Sequence, residues 1–435
     1  MPSEWNDFMI SYGADYLVAT DAGGGLDYVR QDPRWADLER LRSSNPMYDA
    51  TIDEIDGRRI RVGGHWLADF ASCNYLGFDL EPDIMDAVDV QVRRWGTHPS
   101  WSRLLGNPAL YPQIEERLTE LLNAPDTLVL PTITHIHMSV IPILAGQGTI
   151  FLDAQAHKTI YDGSMYARGL GATVKRFRAG DVGHLAELLR EAPSGKSRLV
   201  CMDGVNSMTG NVPDLMEFAR VCRENDALLY VDDAHGFGVI GERTADESSP
   251  YGTGGNAIVK YCGETYDNIV LVGGFSKSYS SLLAFLALPT WLKNHLKVAA
   301  PPYLYSGPAP TASLATVLAG LDVNAKRGDA IRADLYRKSI KVLDHVRRLG
   351  VFTPNIGNTP VIELPLAAGQ DIDAVGKTLW DRGIYVTLAA YPLVPRDQVG
   401  FRVQVTAANT DAEIDELNAV ITDLAAGGLL RIVDR

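Results

Sequence analysis

Lys277 lies in Val272-Gly-Gly-Phe-Ser-Lys-Ser, directly after the apolar run Asn268-Ile-Val-Leu-Val. A lysine leaving the end of a buried strand is costly to bury unless it loses its charge or bonds covalently, and the small residues before it leave room for a bulky aldehyde. That is the setting of a lysine that carries a carbonyl cofactor as a Schiff base. A strand-end lysine that merely reaches solvent has the same local sequence, so the reading depends on partners elsewhere in the chain.

Three further apolar runs supply them. Ala227-Leu-Leu-Tyr-Val-Asp-Asp-Ala-His-Gly-Phe-Gly delivers Asp232, Asp233 and His235 at the carboxyl end of a strand, where ligands gather in open parallel sheets. A carboxylate at a buried strand end needs a cation, and the ring nitrogen of pyridoxal 5'-phosphate offers one. Asp232 is therefore the expected partner of that nitrogen, with His235 near the ring's phenolic oxygen and Asp233 expected to cap the next helix. Gly148-Thr-Ile-Phe-Leu-Asp leads to His157, whose flat imidazole can stack on a pyridine ring. Arg198-Leu-Val-Cys-Met-Asp-Gly-Val-Asn-Ser adds Asn206 and Ser207, short polar side chains able to reach ring substituents.

In this order and spacing the chain resembles the α-oxoamine synthase family of pyridoxal-phosphate enzymes. The resemblance starts near Asp56-Gly-Arg-Arg and runs through Asn74-Tyr-Leu-Gly, Ser102-Arg-Leu-Leu-Gly, His157, Ser207, Val231-Asp-Asp-Ala-His and Phe275-Ser-Lys. It closes on Phe401-Arg-Val-Gln-Val-Thr-Ala-Ala. It implies the α/β fold type I: a mostly parallel sheet in a three-layer large domain, with a smaller α+β C-terminal domain. It makes Lys277 the covalent tether and acid/base, Asp232 the ring-nitrogen partner and His157 the stacked ring. His235 and Ser207 fall on the phenolic side. It places Ser306 against the phosphate of a neighbouring subunit, hence a homodimer, and Arg402 and Asn74 near the amino substrate. The implied reaction is carbon–carbon bond formation between an amino acid and an acyl-CoA or acyl-carrier-protein thioester, with decarboxylation.

The chain departs from the family pattern at several points. Gly274 stands where a threonine usually helps hold the phosphate, and Thr132-Ile-Thr-His-Ile-His replaces a small Ser-Gly-aromatic turn. Thr132, Ile133 and Thr134 then cradle the phosphate through hydroxyls and backbone amides at a helix N-terminus. His135 takes a position usually small, and Tyr391 stands where an arginine usually clamps the substrate carboxylate, so both are expected at the substrate and Arg402 or Arg396 must substitute. Between Asp232 and Lys277 lie 45 positions, more than the family spends. The excess, around residues 245–265 and centred on Ser248-Ser-Pro-Tyr-Gly-Thr-Gly-Gly-Asn, is expected to be a surface or interface loop.

The elements that must position these groups follow from periodicity. Apolar runs of five to seven residues alternate with amphipathic segments such as Asp181–Glu191 and Pro213–Asn225, the pattern of a helix-covered parallel sheet. The expected divisions are an N-terminal segment 1–79 with a helix over Asp32–Ser43, a cofactor domain 80–305 and a C-terminal domain 306–435. The last comprises a helix to Asn324, a second over Ala330–Leu349, strands Val361–Leu364, Ile384–Leu388 and Phe401–Val405, and a helix Asp411–Leu424. Gly23-Gly-Gly follows no strand and reads as a loop.

The chain has 435 residues and a formal net charge of −14, with an isoelectric point near 5.1. It carries no basic block interleaved with aromatics, which disfavours nucleic acid as a partner. Four scattered cysteines suit a reducing cytoplasm, and no apolar run approaches the length of a membrane span. Other readings compete. His135 and His137, taken as alternate residues of a strand, form a two-ligand metal site, but without a third ligand. Ser207 with His235 suggests a hydrolase, but its surroundings are not Gly-x-Ser-x-Gly and Lys277 is left idle. Within the same cofactor class, an enzyme of secondary metabolism attacking a non-thioester electrophile, or an aminotransferase-like activity, also fits. An inactive partner subunit is opposed by intact Lys277, Asp232 and His157.

Overall fold

The computed structural model describes residues 36–243, 249–391 and 393–433; the Gly23-Gly-Gly loop and the start of the expected first helix lie outside them. Strands β1 (Ile52–Asp56), β2 (Arg59–Val62) and β3 (His65–Asp69) form an antiparallel meander. Seven strands then build the central sheet: β4 (Asp126–Leu130), β5 (Thr149–Asp153), β6 (Thr173–Phe177), β7 (Arg198–Asp203), β8 (Leu228–Asp232), β9 (Ile269–Gly274) and β10 (Ala284–Leu288). Their spatial order is β4-β10-β9-β8-β7-β5-β6. β10 runs antiparallel to both neighbours and the other adjacent pairs are parallel. The mostly parallel sheet expected from the alternating pattern is present.

The unbroken apolar runs have a direct cause. On β8 and β9, Leu229, Val231, Ile269 and Leu271 enter one hydrophobic core, while Tyr230, Val270 and Val272 enter another on the opposite face. With helices on both faces, every position of the strand is buried and period-two alternation of polarity disappears. Where the chain leaves the last buried position, side chains become polar. β5, β7 and β8 end in Asp153, Asp203 and Asp232, and β9 ends three residues before Lys277.

The C-terminal region contains β11 (Val361–Pro365), β12 (Ile384–Tyr385), β13 (Thr387–Ala389) and β14 (Gly400–Gln404). β11, β14 and β13 form a three-stranded antiparallel sheet. The single strand expected over Ile384–Leu388 is divided: β12 pairs in parallel with β3, tying the N-terminal meander to this region, and β13 turns into the other sheet. The two helices expected after Pro310 are one, Thr311–Arg348. Asn324 and Gly328 do not break it because both are enclosed, Asn324 by a hydrogen bond from buried Arg332 at 2.7 Å. Tertiary packing overrides their weak helix propensity. The closing helix is Asp411–Ala426, started by a capping box of Thr410 and Glu413.

The expected surface insertion is also corrected. Tyr251, Gly252, Gly255 and Asn256 are buried. The Tyr251 hydroxyl donates to Asn358 O at 2.8 Å, and buried Asp233 accepts the amides of Val205 and Ile258 at 3.0 and 2.7 Å. Asp233 thus caps the first turn of Ala257–Tyr261, and the described part of the insertion, from 249 onward, is held by hydrogen bonds to Gly238, Gly241 and Asn324 as part of the fold.

Candidate active site

A cavity of about 300 Å³ opens at the carboxyl edge of the central sheet, lined among others by Thr132, Thr134, His157, Asp203, Asp232, His235 and Lys277. A second, of about 410 Å³, shares His157, Ser207, His235 and Lys277 with it and extends to Glu363, Thr387 and Arg402 of the C-terminal sheet. The groups of the first cavity, spread from 132 to 282 in sequence, meet because parallel strands deliver their carboxyl ends to one edge, and the antiparallel C-terminal sheet brings Glu363, Thr387 and Arg402 beside them.

The first cavity holds its polar groups rigidly. Asp232 Oδ2 lies 2.9 Å from His137 Nε2, and His137 Nδ1 lies 2.9 Å from the Tyr230 hydroxyl. Burial alone raises the Asp232 carboxyl, but the hydrogen bond and charge of His137 with nearby Lys277 outweigh it, so its pKa lies below the ordinary value. Asp203, its register neighbour on β7, moves the other way: burial, then the Asp232 charge, push it well above the usual carboxylate range. Asp203 accepts the backbone N–H of His157 at 2.9 Å, fixing the turn that presents the imidazole. His157 Nδ1 sits 2.8 Å from Thr159 Oγ1. Though the ring opens onto the cavities, protein crowds it on its other sides, and this lowers its pKa, Asp232 acting in the opposite sense. His235 Nδ1 lies 2.7 Å from the Tyr75 hydroxyl, which in turn donates to Gln404 at 2.9 Å. Burial, then Lys277, depress His235 well below the ordinary histidine value.

Thr132 caps the helix Ile133–Ala145, its hydroxyl accepting the His135 amide at 3.2 Å. The amides of Ile133 and Thr134 make no hydrogen bond to described residues and border the cavity, an anion-binding helix start. Gly274 has a steric reason: a Cβ there would lie 2.5 Å from Ile133 Cδ1. A threonine at this place would require the Ile133 side chain to move aside. Gly163 allows the helix Lys158–Gly169 to approach the carbonyl of His137, which a Cβ would meet at 2.4 Å.

These groups fit pyridoxal phosphate. An anionic carboxylate stands ready for the ring nitrogen, a lysine without a hydrogen bond to described residues stands at the junction of the cavities, and a helix start with unpaired amides faces the phosphate end.

Other expected site residues fall elsewhere. Asn74 donates to Asp79 at 3.0 Å, beside the Arg58–Asp79 ion pair, and lines neither cavity. His135 is exposed on its helix and lines neither. Because Ile133–Ala145 is helical, His135 and His137 point to different sides, which removes the shared-face metal reading; no metal-ligating cluster occurs among the described residues. Tyr391 lies under the Arg396 guanidinium at 4.0 Å, and Arg396 also reaches Asp37 at 3.2 Å, so neither lines the cavities. Ser306 is half-buried, donates to its own Gly307 carbonyl at 3.1 Å, and lines neither cavity of its own chain. Arg402 lines the second cavity, its Nη1 donating to Ser207 O at 2.6 Å while its buried Nε has no partner. Asp203 and Glu363 are residues that motif reading passed over; His137 was read only as a metal-ligand candidate, and Tyr75 only as part of Asn74-Tyr-Leu-Gly, without the roles the structure gives them. Of these only Asp203 had a signal, as the last residue of a buried run.

Residues 69–421 match the family model described as aminotransferase class I and II. An 8-amino-7-oxononanoate synthase of Marinobacter nauticus is 34% identical over 360 residues, 82% of this chain and 87% of that protein. One of Pseudomonas putida is 31% identical over 389 residues, covering 88% and 93%. Among solved structures, the serine palmitoyltransferase of Sphingomonas wittichii superposes with a TM-score of 0.83 at 25% identity, over 92% of this chain and 98% of that one. The serine palmitoyltransferase of S. paucimobilis, solved with PLP bound, has a TM-score of 0.83 at 22% identity over the same shares.

Proposed function

The chain belongs to the aminotransferase class I and II family, in its α-oxoamine synthase branch, and on that premise we propose that it joins an amino acid to an acyl thioester with pyridoxal phosphate as cofactor. The observation that carries this reading is the meeting of Lys277, Asp232, His157 and His235 around one cavity that opens directly onto Arg402. The bound cofactor supplies an electron sink for the pair left when a bond at the substrate α-carbon breaks.

The chain's own residues do the rest. Asp232, kept anionic by His137, holds a proton on the ring nitrogen. His157 and His235, depressed by burial, stay neutral near pH 7 and offer ring face and hydrogen bonds without adding charge. Lys277 Nζ, at the junction of the two cavities, can tether the cofactor and then carry a proton to and from the substrate α-carbon. Arg402, at the wall of the second cavity, offers its guanidinium to the substrate carboxylate. Tyr391 and His135, the departures that favoured a non-thioester electrophile, lie outside both cavities.

A homodimer is part of this reading. Trp101, Leu104, Leu105, Leu282 and Tyr305 are exposed apolar side chains, and the Ser102 hydroxyl bonds Leu304 O at 2.7 Å, joining the first turn to the segment carrying Ser306. A second copy covering this patch brings its Ser306 toward the phosphate end, where Leu282 already lines the rim. No helix among the described residues is long and apolar enough to cross a membrane, and all four cysteines are free, which supports the cytoplasm as its compartment.

The test is to incubate purified holoenzyme with a panel of amino acids and acyl-CoA esters and measure free CoA and carbon dioxide. The expected result is amino-acid-dependent release of both, and a borohydride-reduced protein with the pyridoxyl mass on Lys277. Pyridoxyl label at another lysine, or thioester turnover independent of any amino acid, would overturn the reading.

A further inference from the structure

The C-terminal sheet contains a buried carboxyl group that the proposed chemistry leaves unused. Arg402 on β14 is directly opposite Glu363 on β11 and Thr387 on β13. Directly opposed residues of antiparallel strands project from the same face, so Thr387, Arg402 and Glu363 form a row across the sheet, and all three line the second cavity. Glu363 is only 2% exposed. Its carboxyl makes no hydrogen bond or ion pair with any described residue, because the Arg402 Nη1 is turned toward Ser207 O.

An unpartnered buried carboxyl is costly, and burial raises its pKa to about 7 with Arg402 opposing the shift. An apolar residue would have closed the wall at no such cost, as Leu388, Ala389, Leu393 and Val394 do farther along the same cavity. The missing partner therefore has to arrive with what the cavity binds.

Resting on the function proposed above, we propose that Glu363 selects the amino-acid substrate by accepting a hydrogen bond from a hydroxyl, amide or ammonium donor on its side chain. Arg402 engages the α-carboxylate, and Glu363 stands one strand spacing away, about 5 Å between the Cβ atoms of opposed residues, within reach of a group one or two bonds beyond the β-carbon. The apolar wall is left for the acyl chain. Glycine and alanine, having no donor, leave the carboxyl unsatisfied.

Titration of the purified holoenzyme with glycine, L-alanine, L-serine, L-asparagine and L-2,3-diaminopropionate, followed by the change in cofactor absorbance, tests this directly. At least one donor-bearing amino acid is expected to bind about 10-fold or more tightly than alanine, the ordinary strength of a hydrogen bond to a buried charged group. In Glu363→Leu that ratio should collapse toward one, and Glu363→Gln should lose the preference for a cationic donor more than that for a hydroxyl. Alanine binding as tightly as every donor-bearing acid in the unaltered enzyme would overturn the inference, as would a ratio unchanged in both variants. Neither result touches the parent reading. That reading fails on a different outcome, in which the cofactor is fixed on Lys277 but no amino acid perturbs its absorbance, and the inference then falls with it.

Discussion

The two cavities share four side chains yet are built in opposite ways. Around the first, Asp232 is braced by His137 and Tyr230, His235 by Tyr75 and Gln404, and the His157 turn by Asp203. At the far wall of the second, buried Glu363 has no hydrogen-bond partner for its carboxyl among the described residues, and Arg402 Nε is buried without one. A fully connected network suits a ligand that never changes and must be held in one pose. Unpartnered buried groups suit one that comes and goes, because their cost is relieved only when the right molecule supplies the missing partners. The cofactor end is thus pre-formed, and the substrate end is completed by the substrate.

The comparison can be broken at five points, three at the cofactor end and two at the substrate end, with effects decreasing within each. Lys277→Ala should lower turnover by at least about 10⁴-fold, the upper range for a positioned acid–base group, and abolish borohydride fixation. Turnover within about 10-fold of the unaltered enzyme would remove Lys277 from the chemistry. Asp232→Asn should keep some cofactor but lose turnover on the order of 10²–10³-fold. His137→Phe, which strands the Asp232 carboxyl and the Tyr230 hydroxyl, should cost about 10-fold and shift the pH at which the cofactor's absorbance changes. An unshifted spectral pH profile would show His137 to be packing only.

At the substrate end, Arg402→Ala should raise the KM for the amino substrate by roughly 10–100-fold, the worth of charge-assisted hydrogen bonds, with the cofactor's spectrum unaltered. A normal KM would place the carboxylate elsewhere. The smallest effect is in pH. With its pKa raised to about 7, Glu363 is neutral below that pH and anionic above it, so preference for a cationic donor over alanine should grow as pH rises from 6 to 8. The change is at most roughly 10-fold, following the ionised fraction. Cys73, His157, Lys158, His235, Lys277 and Arg402 also line this cavity. Burial lowers both histidines from the ordinary value, His235 well below it. Glu363→Gln should flatten the difference, and an equal slope in that variant would assign the titration to another group.

Much of the cofactor end was legible because it is made of short contiguous signals. A buried parallel strand reads as an unbroken apolar run, and its carboxyl end as the first polar residue after it; Asp232 announces itself this way, and Lys277 and His157 follow within four residues of such an end. The sheet's direction and the closing helix follow from the same local rules. Tyr391 and His135 were placed at the substrate because their identities depart from a pattern. Direction on a helix or loop is not encoded in identity, and the first lies under Arg396 while the second faces outward.

What the sequence by itself determined is therefore the set of strand-end groups and the chemistry they can do, since both rest on residue type and on neighbours within a few positions. Only the tertiary structure decided which distant residues support them. His137 reaches Asp232 across 95 positions, and Tyr75 reaches His235 across 160. Tyr251, Gly252, Gly255 and Asn256 are buried instead of exposed, the strand after Ile384 is shared between two sheets, and Glu363 is opposed to Arg402 by strand register alone. Register and helix-to-sheet contact are set by how whole faces pack, and a polar residue inside an apolar strand such as Val361–Pro365 carries no local mark of the cavity it will line.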